Sequence, residues 1–262
     1  MKDFFERFES IKDFQDAINS RKVDTFYSCE YSKYAPYDFT GTESYEDADK
    51  LLTYGDEKAT ADLLDYGKKR DITTNRNTLY KSPCGFVPNV PAVLAGRPNN
   101  MFNIKMQKYK NSKIFTLCII ASVDSCVQPE EIKKFYKSLL NVVYTLENRG
   151  YRFNIYIGKV NKLKASQNHS ACFVKIKDSG KHFNVTAAAY PLTNPSFLRR
   201  HLFRWLETSG HTQDAKYGYL CTPTKNSEII KHVFNGCNNL IKIETQYMLH
   251  ETEESIMQYI MK

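Results

Sequence analysis

The spacing of apolar positions changes character several times along the chain. Phe4, Phe8, Ile11 and Phe14 recur every three or four residues, and Ala17 and Ile18 continue the stripe. That spacing predicts an amphipathic helix at the N-terminus. A Tyr-rich, weakly periodic stretch follows over residues 26–39. Ser44 then stands as a candidate N-cap, with Asp47 three residues on completing an acidic variant of the capping box. The helix it opens is expected to reach about Tyr54 and stop at Gly55, with a second helix over about 56–69. Residues 71–112 hold Pro83, Pro88, Pro91 and Pro98 with Gly85 and Gly96, a density that favours turns. Within them 90–96 predicts one helical turn, with Pro91 at its first position.

From residue 113 the pattern sharpens. Residues 114–123 form a near-continuous apolar run, as in a strand covered on both faces. Pro129 opens a helix whose Ile132, Tyr136, Leu139, Val143 and Leu146 share one face, and Gly150 closes it. A further strand over 151–158 completes a β-α-β crossover spanning 113–159, the firmest element of the chain. Strands are expected over 171–177, 217–221 and 240–244, and helices over 227–234 and 253–261. Another helix begins at Pro195, with Leu198, Leu202, Trp205 and Leu206 inward and Arg199, Arg200 and Arg204 toward solvent. Alternating strands and helices predict an α/β fold: a mostly parallel sheet with helices on both faces, residues 113–262. A mainly helical and irregular N-terminal lobe, 1–112, precedes it.

Composition fits a globular chain, with 42% hydrophobic and 25% charged residues among 262. No run approaches the ~18 apolar residues of a membrane span, and the N-terminus lacks the apolar core of a signal peptide. The seven cysteines include no C-x-x-C pair, and several sit in apolar runs. They read as reduced core residues in a reducing compartment. Cysteines and histidines are too scattered for structural zinc. A formal charge of +8 attracts polyanions, or simply keeps a Lys-rich surface soluble.

Candidate chemistry is sparse. Dinucleotide, P-loop and serine-hydrolase fingerprints are absent. The loop Ser122-Val123-Asp124-Ser125 after the first strand of the crossover offers Asp124, Ser122 and Ser125 to a hard cation such as Mg²⁺, or Asp124 as a helix cap. Cys126 follows near a helix start, where a thiol is activated, although no histidine is placed by sequence to serve it. Lys105, Lys108 and Lys110, together with Arg199, Arg200 and Arg204, are interleaved with Tyr and Phe. Basic residues and rings in alternation suit single-stranded nucleic acid, and equally a solvated face.

The order of elements resembles the von Willebrand A-type domain, whose corresponding loop carries D-x-S-x-S with later Thr and Asp residues around magnesium. Here one Asp stands with serines at −2 and +1, and 221–224 (Cys-Thr-Pro-Thr) holds no acid, which implies a degenerate or absent metal site. Residues 39–48 (FTGTESYEDA), ending in 51–55 (LLTYG), and 90–101 (VPAVLAGRPNNM) together resemble a family of uncharacterised bacteriophage and mobile-element proteins, over most of 39–205. That resemblance implies a phage origin and no catalytic residues. The expectation is a non-enzymatic phage protein of the host cytoplasm or virion, without a membrane partner. It would bind another phage or virion protein, or nucleic acid. The alternatives are a metal-dependent enzyme or adhesion module using Asp124, and a DNA-end or protein-priming role using a Tyr or Ser hydroxyl.

Overall fold

The structure, a computed structural model, describes residues 3–23, 30–68, 78–105, 113–124, 126–162, 168–181, 183–209, 217 and 219–262. Nine strands occur among them: β1 Phe4–Phe8, β2 Thr78–Ser82, β3 Val87–Pro88, β4 Met101–Lys105, β5 Ile114–Ile120, β6 Arg152–Lys162, β7 His169–Lys177, β8 Tyr219–Leu220 and β9 Leu240–Glu244. The main sheet has the order β1-β7-β6-β5-β9, with β8 paired to the far end of β6. Strand β5 is parallel to both β6 and β9, and β1 is parallel to β7, whereas β7 runs antiparallel to β6. The fold is therefore α/β, with a mostly parallel, mixed sheet flanked by helices.

Strand β5 explains why the sheet is covered twice. Phe115, Leu117 and Ile119 join the larger core beneath the helix Pro129–Asn148, while Cys118 and Ile120 join a smaller core under the helix Pro223–Val233. A side-chain period of two with both faces apolar leaves no solvated side. The crossover matches its expected form, and Tyr136, Leu139, Val143 and Leu146 are buried on the expected helix face. Ser44 caps the helix Tyr45–Tyr54 through its Oγ, which accepts the Asp47 N–H at 3.0 Å, and Gly55 ends it at φ 90°. The strand Leu240–Glu244 and the helix Glu253–Met261 also fall where expected.

Several expectations are corrected. Phe4–Phe8 is a strand pairing with β7, and the helix begins only at Ile11, where the Ser10 Oγ accepts the Asp13 N–H at 3.0 Å. A four-residue spacing places two residues on one side of a strand as well as of a helix, so Phe4 and Phe8 fit both periods. Phe4 stacks on Trp205 at 5.7 Å and Phe8 meets Phe14 edge-on at 5.4 Å. The segment expected to be irregular contains a three-stranded antiparallel sheet, β2-β4-β3. An unforeseen helix, Val185–Thr193, is capped by Asn184, whose Oδ1 accepts the Ala187 N–H at 3.2 Å.

The solvent-facing arginines are the largest correction. Residues Phe197–Leu202 form a π-helix that runs into the helix Phe203–Thr208. The stretch 31–42 packs over what would have been its outer side. Arg199 and Arg200 are consequently 6% and 0% exposed, and Arg204 is partly buried. The N-terminal residues Phe14, Ile18, Ala48 and Leu52 pack in the same core as β5, β6 and β7. No helix among the described residues is long and apolar enough to cross a membrane.

Candidate functional site

The predicted metal loop is docked. The Asp124 N–H donates to the Gln246 Oε1 at 2.6 Å, and the Asp124 Oδ1 accepts the Cys126 N–H at 3.4 Å. Asp124 is exposed, Ser122 is buried, and Ser125 lies outside the described residues. Among the described residues no group of three or more His, Cys, Asp or Glu side chains is arranged to hold a metal ion. Cys126 is exposed as a free thiol.

The predicted basic residues divide. Lys108, Lys110 and the side chain of Lys105 lie outside the described residues. The three arginines do not form an outward face. Arg200 donates to six acceptors: the Thr42 Oγ1 (2.7 Å) and carbonyl (2.7 Å), the Thr40 Oγ1 (2.9 Å), and the carbonyls of Ser32, Lys33 and Ala35 (3.0, 3.1 and 3.3 Å). It ties 32–42 to the helix beneath. Arg204 pairs with Glu30 at 2.7 Å, and its Nη1 is 3.7 Å from the buried Glu207. Arg199 has its guanidinium carbon over the ring of Phe39, 4.3 Å from the centroid, and donates to the Phe39 carbonyl.

A cavity of about 160 Å³ opens at the carboxyl ends of β5 and β6. Ligands collect at that place in an open parallel sheet because the chain diverges from the strand ends there. Its polar lining includes Ser122, Lys159, Asn161 and Arg199, and its rim the exposed Tyr219 and Leu220. Lys159 sits inside the buried part of strand β6 and is 6% exposed. Its Nζ donates to the Tyr217 carbonyl at 2.6 Å and lies 4.3 Å from the centre of the Phe203 ring. No carboxylate among the described residues pairs with it, and burial lowers its pKa from the ordinary lysine range to about 7. The Ser122 Oγ is buried without a hydrogen-bond partner.

The Tyr217 carbonyl is held in place from the other end of the same residue. Its hydroxyl donates to the buried Glu207, which also receives the N–H and hydroxyl of Ser32, and it accepts the Tyr31 N–H at 3.0 Å. The arrangement can present a neutral amine, a free hydroxyl and a guanidinium to one small space. Sequence reasoning singled out Ser122 and Arg199 for other roles and missed Lys159, Asn161 and Tyr217. The available signal was a lysine directly after the apolar run Ile155-Tyr156-Ile157-Gly158 and before Val160.

A second feature lies at the β9 edge of the sheet. A groove of about 570 Å³ runs along β9, lined by Lys113, Lys231, Lys242 and Lys262 with Tyr151 and Tyr259 and by no Asp or Glu. Lys242 is fixed by the Pro223 carbonyl (2.9 Å), the Ser227 Oγ (2.8 Å) and Glu244, and the Tyr259 hydroxyl donates to the Lys242 carbonyl at 2.9 Å. Lys113, Lys231 and Lys262 are exposed.

A family model described as a domain of unknown function (DUF7192) matches residues 2–258. The chain belongs to that family. The match runs from edge strand β1 into the last helix, so it takes in the cavity at Lys159 and most of the groove along β9, with Tyr259, Ile260, Met261 and Lys262 beyond it. No curated protein and no solved structure matches the chain.

Proposed function

We propose that the protein is a non-enzymatic binder of single-stranded nucleic acid, held in the groove along β9. The observation carrying this reading is a groove with four lysines, two tyrosines and no Asp or Glu in its lining, on a chain of net charge +8. Lysines follow a phosphate backbone and rings stack on bases whatever the sequence, so charge and Tyr side by side suit a strand with splayed bases. The nucleic-acid face thus moves away from the buried Arg199, Arg200 and Arg204. The α/β unit would serve as a von Willebrand A-like scaffold, a reading supported by the parallel crossover from β5 to β6. A phage or mobile-element origin rests on the two segments at 39–55 and 90–101.

Fluorescence anisotropy with labelled oligothymidine and oligouridine, over a series of salt concentrations, tests it. The wild type should bind at low salt, with log K falling linearly in log salt. The triple substitution Lys113→Glu, Lys231→Glu, Lys262→Glu should lose binding without a fall in Tm. Single Lys→Ala variants should flatten the slope by about 0.7 each, the value per phosphate on a single strand. Absence of binding by the folded wild type at low salt would end this reading, with tight co-purification of a virion protein then favouring a protein partner.

A further inference from the structure

The cavity at the carboxyl ends of β5 and β6 has no part in the binding proposed above, and its chemistry differs. We propose that it is a binding site for a small 2-oxo acid, which Lys159 holds as an imine while Arg199 holds its carboxylate. Three observations carry the assignment. The Lys159 Nζ is buried in the cavity lining with a backbone carbonyl as its only hydrogen-bond acceptor among the described residues. The Ser122 Oγ, in the same lining, is buried and unpartnered. Arg199, 6% exposed and also in the lining, donates to the Phe39 carbonyl and sets its guanidinium carbon 4.3 Å from the centre of the Phe39 ring, two contacts that hold the guanidinium in place. A planar guanidinium so held matches a carboxylate in geometry and charge.

A lysine that served only to fill the core would be better replaced by Met or Leu. Its amine loses hydration and gains one hydrogen bond, an arrangement that costs stability at neutral pH. The folded-state pKa lies below the unfolded value, so the cost is absent above about pH 10.5, grows as pH falls, and is complete below about 7. The same desolvation leaves a large share of the amine unprotonated near neutrality, the form able to attack a carbonyl. The nitrogen lone pair adds to the carbonyl carbon to give a carbinolamine. Nitrogen then gives up its two protons as the carbonyl oxygen departs as water, leaving a C=N bond. Ser122 is placed in the lining to hydrogen-bond that departing oxygen. The cavity, at about 160 Å³, is below the ~300 Å³ of sites for larger ligands and restricts the acid to a few carbons.

Borohydride trapping tests the proposal on the full chain. Pyruvate, glyoxylate and, as an uncharged control of similar size, butanal are each incubated with the protein, reduced, and mapped by peptide mass spectrometry. The expected result is pyruvate or glyoxylate captured on Lys159 at least about tenfold more than on any exposed lysine at pH 7.5, because an ordinary lysine is almost wholly protonated there. Capture should rise with a midpoint near pH 7, disappear in Lys159→Arg, and weaken for the acids in Arg199→Gln while persisting for butanal. Labelling confined to exposed lysines overturns the imine site. Butanal captured in preference to both acids by the wild type overturns the role of Arg199, a result that needs no variant to fold. Either failure leaves the salt-dependent binding at β9 untouched, so the two readings stand or fall separately.

Discussion

At the scale of single residues, Arg200 shows how a basic side chain can be structural. Its five N–H donors meet six acceptors on 32–42, and none of its exposure remains. Arg200→Met should therefore leave several buried acceptors unmatched and destabilise the fold by about 4 kcal/mol or more in urea unfolding. Arg200→Lys should recover little of this, since an ammonium cannot reach acceptors arranged around a planar fork. A near-neutral effect of either substitution would show that the network contributes little. The arginine was visible in the sequence, but its direction was not. Helical periodicity identifies the side opposite Leu198 and Leu202, and cannot foresee that another stretch of chain covers that side. Lys159 was hidden for a related reason: a strand alternation places it on one face without revealing which elements close over that face.

At the scale of elements, β6 and β7 illustrate what a hydrophobic run leaves open. Both runs predict strands, and both are strands, yet their mutual direction depends on a connection whose apolar pattern says nothing. The close pairing leaves a specific mark at Gly158, where an added Cβ would stand 1.9 Å from the Cys172 carbonyl oxygen and 2.7 Å from the Phe173 ring. Gly158→Ala should force the two central strands apart, lowering Tm by 10 °C or more on a rough conversion of about 4 kcal/mol for a chain of this size. Circular dichroism melts give the answer, and an unchanged Tm would mean that the pairing can shift without cost. The first strand was misread because Phe4 and Phe8 suit two periods at once. Capping by Ser10, which starts the helix at Ile11, was a local cue present in the sequence.

At the scale of the whole molecule, the larger core draws on both ends of the chain. Phe14, Ile18, Ala48 and Leu52 meet residues of β5, β6 and β7, and Ile256 and Ile260 of the last helix join them. A fragment comprising residues 113–262 would expose that apolar surface and leave β7 without its β1 neighbour. It should bind a hydrophobic dye strongly and melt without a cooperative transition, whereas the full chain should melt as a unit. A sharp melt of the fragment near the full-length Tm would instead assign the N-terminal residues an independent role.

The sequence by itself determined the elements whose signals are local. These are the crossover from β5 through its helix to β6, the Ser44 cap, the last strand and the last helix, because periodicity, caps and breakers act within a few residues. Only the tertiary structure decided which strand lies beside which, that the arginine face is interior, and that Ser122, Lys159 and Arg199 line one cavity. Ser122 lies on the loop after β5, Lys159 on β6 and Arg199 in the π-helix, up to 77 positions apart along the chain. Their proximity follows from how the helices and strands pack, which no local pattern encodes.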